Sequence, residues 1–131
     1  MPAHLLILKD DIIELKSNEF ESRKTVLDFS IQVPNSSGTP QDPRWGVLSF
    51  NISVNNATSF VNIVVKAGGV ELQRYSLTNQ PMHAIQEVVI PQGGNIKAGG
   101  NVIEFEITDT PTTETGIIRI SDVVLWIVTV Q

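Results

Sequence analysis

Cysteine is absent from this chain of 131 residues. Its absence excludes disulfide bonds, thiolate nucleophiles and zinc or iron–sulfur sites with cysteine ligands. A domain of this length does not need such cross-links, because it buries roughly two-thirds of the surface that its unfolded chain exposes. The length matches the commonest size of one domain, so residues 1–131 are predicted to form a single domain.

Basic residues are scarce. Lysine and arginine together number 9 against 14 acidic residues, which gives a net charge of −5 at pH 7. The longest basic run is Arg23-Lys24. An acidic surface repels phosphate backbones and anionic lipid headgroups, so neither nucleic acid nor a membrane is an expected partner.

Long apolar runs are also missing. The longest, such as residues 5–8 and 123–128, are much shorter than a membrane-spanning helix. The N-terminus has no basic start and its apolar stretch is too short for a signal peptide, so a cytoplasmic location is expected. A mature form from which a signal had been removed would leave a similar sequence.

What the chain does have is alternation of apolar and polar residues, which indicates half-buried β-strands. In residues 45–55, for example, Phe50 and Ile52 fall on the opposite face from Asn51. Strands are predicted at residues 5–8, 12–16, 26–33, 45–55, 60–66, 70–77, 84–90, 102–108 and 117–130. The predicted fold is all-β: a two-sheet antiparallel β-sandwich of the jelly-roll kind, with about nine strands and no significant helix.

Turn residues separate these strands. Asn55-Asn56 and Gly68-Gly69 predict tight hairpin turns, because Asn and Gly tolerate positive φ. The two longest irregular stretches are residues 34–43 and 108–116. We expect them to form loops on the surface of the sandwich.

The last predicted strand breaks its own alternation. Ile118 and Ile120 share one face, but the same phase would bury Asp122. A β-bulge at Ser121-Asp122 restores the pattern by shifting the register by one residue. Bulges occur near functional sites and also where a long strand merely bends, and the sequence leaves both interpretations open.

Four segments of the C-terminal half follow one another in a familiar order. They are Gly69-Val-Glu-Leu72, Val88-Val-Ile-Pro91, Lys97-Ala-Gly-Gly-Asn-Val-Ile-Glu-Phe105 and Gly116-Ile-Ile-Arg-Ile-Ser-Asp-Val-Val-Leu-Trp126. This order resembles the galactose-binding-like jelly-roll domains that occur as carbohydrate-binding modules. The resemblance covers about residues 45–130, and its motifs are degenerate. It implies a β-sandwich fold and a carbohydrate ligand, although a fold does not determine a function.

Several domains of that family hold a structural calcium ion between an early acidic residue and an aspartate on the last strand. The resemblance places Asp122 at the late position and Glu14 or Glu19 at the early one. Calcium takes roughly six to eight oxygen ligands, so these side chains would form only part of a site. The alternative is that Asp122 bonds a backbone N–H at the bulge and both glutamates are solvated. No other cofactor is expected.

Sugar binding requires an aromatic face for the apolar side of the ring and polar groups for its hydroxyls. Trp45 follows the longest loop, in which Asp42 and Arg44 would bond a ligand. Tyr75 is a further aromatic candidate. Binding residues are often carried on loops of a rigid scaffold. In the alternative interpretation Trp45 closes one end of the core.

The last strand is apolar on both faces. Val124, Trp126 and Val128 share the face opposite Leu125 and Ile127. A strand of this kind is usually central or covered by another surface. These three residues are therefore a predicted interface, and assembly into a homo-oligomer is the alternative to ligand binding.

An enzymatic function is not expected. Glu104 and Glu106 project from one face about 7 Å apart, close to the carboxylate separation of an inverting glycosidase. Both belong to an open outer face, however, where a desolvated acid is not available. His4 and His83 lie in no catalytic or metal-binding motif. The predicted function is a non-catalytic binding module for carbohydrate, with a structural or assembly protein as the alternative.

Overall fold

The computed structural model describes residues 3–16, 23–32, 43, 45–55, 61–77, 80–91, 96–108 and 116–128. Within these ranges the chain forms strands and no helix, which confirms the predicted all-β class. The strands are β1 (Ala3–Lys9), β2 (Ile13–Lys16), β3 (Lys24–Ile31), β4 (Trp45–Asn55), β5 (Val61–Ala67), β6 (Val70–Leu77), β7 (Gln80–Ile90), β8 (Gly99–Ile107) and β9 (Ile117–Val128). No helix in this described part is long and apolar enough to cross a membrane.

The strands form two sheets, as predicted. One sheet has five strands in the order β1-β9-β4-β7, with β2 also paired to β9. The other has four strands in the order β3-β8-β5-β6. Every pairing is antiparallel. Because β1 and β2 pair with successive parts of β9, they form the two halves of one edge of the five-stranded sheet.

The core lies between the sheets and consists of alternate residues of the strands. Its centre is Phe50 of β4, which is buried. The Phe50 ring meets Phe105 of the opposite sheet nearly at right angles, with centroids 5.0 Å apart. It meets Tyr75, also of the opposite sheet, edge-on at 6.2 Å. These edge-to-face contacts join the two sheets directly.

Two turns show how the sequence fixes the ends of strands. Gly68 and Gly69 have φ of 58° and 83°, and they join β5 to β6 in the hairpin that the sequence predicts. Gly99 has φ of 90° at the start of β8. The side chain of Asn101 accepts a hydrogen bond from the Lys97 N–H and donates to the carbonyls of Lys97 and Gly99. The side chain of Asn101, a residue of β8, therefore closes the turn that precedes this strand.

The bulge in β9 is confirmed. Ser49 pairs with Val124 and Asn51 pairs with Ser121, so β9 has one more residue than β4 between these pairs. Asp122 lies within this interval and has a φ of 52°, in the left-handed region. The extra residue moves the phase, so that Ile118 and Ile120 on one side of the bulge and Val123 on the other all face the core.

Candidate functional site

The outer surface of the five-stranded sheet carries an apolar row that crosses four strands. Register places Trp126 beside Leu5 on one side and Val47 on the other, and Val47 beside Val89. All four side chains point away from the core, because their strand neighbours point into it. With strands spaced about 4.8 Å apart, the row is roughly 14 Å long.

Trp45 extends this row. It is the first residue of β4 and pairs with Val128, which places it diagonally beside Trp126 on the same face. The two indoles are 40% and 47% exposed. We call the surface formed by Trp45, Trp126, Leu5, Val47 and Val89 the tryptophan face. It presents two solvent-accessible aromatic side chains on a rigid sheet.

Polar groups follow on the same sheet, further along β4. The next row places Ser49 between Val124 and Glu87. In the row after that, Asn51 lies beside the bulge, and its Nδ2 donates a hydrogen bond of 2.9 Å to Oδ2 of Asp122. Asn51 and Asp122 are therefore a polar pair on a surface that also exposes Ile85, the neighbour of Asn51 on β7.

The predicted loop site is only partly described. Asp42 and Arg44 lie outside the described residues, so their places in the site stay predictions. Trp45 is a strand residue on a sheet face, not a loop residue.

Tyr75 lies elsewhere. It is half-buried in β6 of the other sheet, where it packs on Phe50, and desolvation by burial raises its pKa above 10.0. The structure therefore does not bring Tyr75 to the same surface as Trp45.

The predicted interface residues are on the tryptophan face or at its border. Trp126 is in the middle of the apolar row, and Val124 is in the next row, beside Ile7 of β1. Val128 pairs with Trp45 but is only 9% exposed, so it offers little surface. The exposed apolar area is extended instead by Leu5, Ile7 and Val89.

The acidic residues suggested for calcium are engaged separately. Oε2 of Glu14 contacts the Arg119 Nε at 3.2 Å, whereas Asp122 accepts from Asn51. Glu19 lies outside the described residues. Among the described residues, no three potential ligands of the His, Cys, Asp or Glu types come together. The calcium site at Asp122 with Glu14 or Glu19 stays a prediction.

The outer surface of the four-stranded sheet is charged. Glu104 lies 3.8 Å from the Lys24 Nζ, and Glu106 lies 3.6 Å from the Lys66 Nζ. Arg74 pairs with Glu71 on β6. Each of the two glutamates that had the spacing of a glycosidase pair therefore has a lysine as its partner, which is a structural role for a carboxylate on an open sheet.

Sequence reasoning missed two features of the outer surface of the five-stranded sheet. The contributions of Leu5 and Ile7 had a signal, since residues 5–8 are apolar on both faces, like the last strand. The Asn51–Asp122 bond had none, because it depends on the register between β4 and β9.

No protein-family model and no curated protein sequence match this chain. Solved structures do match. A cleaved adhesin domain of Lys-gingipain from Porphyromonas gingivalis has a TM-score of 0.56 at 16% identity, over 87% of this chain and 73% of that one. The C-terminal domain of EclA, a sugar-binding protein, has a TM-score of 0.54 at 9% identity, over 95% and 76%. The CBM36-1 domain of a multidomain xylanase, from the hindgut metagenome of Trinervitermes trinervoides, has a TM-score of 0.51 at 12% identity, over 99% of both chains.

Identities this low show a common fold alone. The chain has the β-sandwich fold of carbohydrate-binding modules and adhesin domains. This confirms the fold that the resemblance of residues 45–130 implied.

Proposed function

We propose that this chain is a non-catalytic carbohydrate-binding module whose ligand lies on the tryptophan face. The observation that carries the proposal is the placement of Trp45 and Trp126 side by side on one exposed sheet surface. An indole offers a flat apolar face to the C–H side of a sugar ring, and a rigid strand holds it with little loss of entropy on binding. The sugar-binding domain of EclA and the xylanase module support the proposal through their fold.

The polar groups next to the indoles fit the same ligand. Sugar hydroxyls require donors and acceptors close to the aromatic surface, and the next rows of the sheet supply Ser49, Glu87 and the Asn51–Asp122 pair. The proposed site therefore lies on the sheet surface, whereas the sequence predicted a site in the loop before Trp45. Asp42 and Arg44 remain predicted contributors at the end of the sheet where β4 begins.

The positions of the carboxylates agree with a binding role without catalysis. Glu104 and Glu106 are paired with Lys24 and Lys66 on the opposite side of the sandwich from the two tryptophans. A glycosidase requires two carboxyl groups flanking the bond to be cleaved. On the tryptophan side, Glu87 and Asp122 lie on strands β7 and β9, which are separated by β4, and Glu14 of β2 is paired with Arg119.

Binding to glycans tests the proposal directly. Wild-type protein and the Trp126→Ala variant are compared by calorimetric titration with neutral hexasaccharides of glucose, xylose and mannose. We expect the wild type to bind at least one of them and Trp126→Ala to lose most of that affinity. Val26→Ala is the matched control, because Val26 is an exposed apolar residue on the outer face of the other sheet. Absence of binding by the wild type would contradict the proposal.

Self-association is the second candidate, and the apolar row favours it. Leu5, Val89 and Ile7 add exposed aliphatic surface around Trp126, and such surface is uncommon on a monomer. Light scattering across a range of protein concentrations separates the two functions. A stable dimer that Trp126→Ala converts to monomer supports assembly. A monomer that binds glycan supports the module.

A further inference from the structure

Asp122 occupies a left-handed backbone conformation at the bulge. Its φ of 52° lies in the region that glycine tolerates best and that aspartate adopts more readily than most other residues. It is the one non-glycine residue with positive φ among the described residues. The side chain is exposed, so it adds nothing to the core. The bulge therefore presents a polar side chain on the outer side of the sheet.

One oxygen of the Asp122 carboxylate is hydrogen-bonded, which holds the side chain in place. Its Oδ2 accepts from Nδ2 of Asn51 at 2.9 Å, which draws the side chain toward β4 on the outer side of the sheet. Within the described ranges no other partner is bonded to this carboxylate. Oδ1 of Asp122 and the side-chain Oδ1 of Asn51 are therefore acceptors that a ligand hydroxyl can reach.

The distance from the tryptophan face sets the size of such a ligand. Val47, the neighbour of Trp126, lies four residue steps from Asn51 along β4, which is roughly 13 Å of strand. A single pyranose ring does not span that distance. A chain of sugars that lies along β4 and β9 does, with one ring over the indoles and a later ring beside Asp122.

Charge sets the chemistry of that chain. Glu87 and Asp122 both border the path and have no cationic partner among the described residues. Among the described residues of the neighbouring strands, Lys9 pairs with Asp11 at 3.4 Å and Arg119 pairs with Glu14 at 3.2 Å. Two uncompensated carboxylates attract hydroxyl donors and repel carboxylate or sulfate groups on a ligand.

We propose that Asn51 and the outward-facing Asp122 form a polar subsite that selects an uncharged, extended oligosaccharide running along β4 and β9. This inference rests on the proposed function and makes it specific. The bulge in β9 is then the device that turns the carboxylate outward, since a regular strand would direct residue 122 into the core.

Four variants test the subsite. Asp122→Gly removes the carboxylate and relieves the positive φ, so its thermal unfolding midpoint should stay at or above that of the wild type. Asp122→Asn keeps a residue that tolerates this conformation and an acceptor for Asn51, but it removes the charge. Asn51→Ala removes the bond that holds the carboxylate. Asp28→Asn, an exposed aspartate on the other sheet, is the matched control.

Calorimetric titration uses the neutral hexasaccharides, their disaccharides and an acidic hexasaccharide of galacturonic acid. We expect Asp122→Gly and Asn51→Ala to bind the best neutral hexasaccharide roughly tenfold to a hundredfold more weakly. We expect disaccharides to bind weakly, and with the same affinity to the wild type, Asp122→Gly and Asn51→Ala. A disaccharide is too short to contact both the tryptophan face and the subsite at Asp122. Asp122→Asn should bind the acidic hexasaccharide better than the wild type does. Asp28→Asn should match the wild type throughout.

The outcomes separate this inference from the proposed function. If Trp126→Ala abolishes binding while Asp122→Gly and Asn51→Ala bind as the wild type does, the module stands and the subsite is wrong. The subsite is also wrong if the wild type prefers the acidic hexasaccharide. If the wild type binds no sugar, both proposals fail together. A fall in the unfolding midpoint of Asp122→Gly with unchanged affinity would assign Asp122 a structural role instead.

Discussion

The outer faces of the two sheets obey the same alternation but differ in chemistry. The four-stranded sheet presents paired charges, with Lys24 and Lys66 beside glutamates of β8. The five-stranded sheet presents Trp45, Trp126 and aliphatic side chains over the same area of strands. Both faces cover one core, so packing does not explain why they differ.

Two valines make the difference concrete. Val64 is on the outer side of β5, between Glu106 and Arg74, yet it is 1% exposed because long charged side chains surround it. Val89 is on the outer side of β7, beside Val47, and is 63% exposed. Part of this contrast comes from position, because β5 is a central strand and β7 is an edge strand. The four-stranded sheet also exposes Val26, so the clearest difference is that both tryptophans of the chain are exposed on the five-stranded sheet.

The largest loss of stability is expected in the core between the two sheets. If both sheets rest on one shared core, the difference between them is limited to their outer faces. Phe50 is 1% exposed and contacts aromatic rings of the opposite sheet. We expect Phe50→Ala to lower the free energy of unfolding by about 3–5 kcal/mol, through lost burial and a cavity. Denaturant unfolding measures it. A cost below about 1 kcal/mol would indicate that the sheets are stabilised separately.

The second largest effect concerns the exposed indole. We expect Trp126→Ala to weaken glycan binding by about 2 kcal/mol or more, roughly thirtyfold, because a central aromatic residue dominates an interface of this kind. Its free energy of unfolding should change by about 1 kcal/mol or less, since the side chain is half exposed. Titration and denaturant unfolding of the same preparation give both values. A large loss of stability with unchanged binding would contradict the functional difference between the faces.

The third effect depends on pH and concerns Tyr75, which lies on the inner side of the four-stranded sheet. Burial raises the pKa of Tyr75 above its ordinary value of 10.0, so the folded state keeps the phenolic proton when the unfolded chain has begun to lose it. Its contribution to stability is therefore complete below about pH 10 and is lost as the pH rises through the folded-state pKa. The Tyr75→Phe variant should lack this part of the alkaline loss.

Phenolate absorbance measures the same quantity directly, because the chain has only 1 tyrosine. The midpoint of the titration should lie above 10.0 in the native protein and near 10.0 in denaturant. A native midpoint at the ordinary value would mean that the ring is solvated. In that case Tyr75 would be accessible to a ligand.

Most of the fold was predictable because it depends on local pattern. The alternation around Phe50, the Gly68-Gly69 turn and the phase break at Asp122 each act over a few residues, and each prediction is confirmed. The site depends on register between strands distant in sequence. Trp45 and Trp126 become neighbours only because β4 pairs with β9, and no spacing in the sequence reports that pairing. For the same reason, the sequence does not show that Tyr75 and Trp45 lie on different sheets.

The smallest effect is expected on the charged face. Lys24 and Glu104 are 3.8 Å apart, and the lysine is largely solvated. We expect Lys24→Ala to change the free energy of unfolding by about 0.5 kcal/mol or less, and the change should shrink further at high salt. Glycan affinity should not change at all. A chain that tolerates loss of a charge here, but loses binding when Trp126 is removed, uses its two faces for different purposes: one keeps the sandwich solvated and the other meets the ligand.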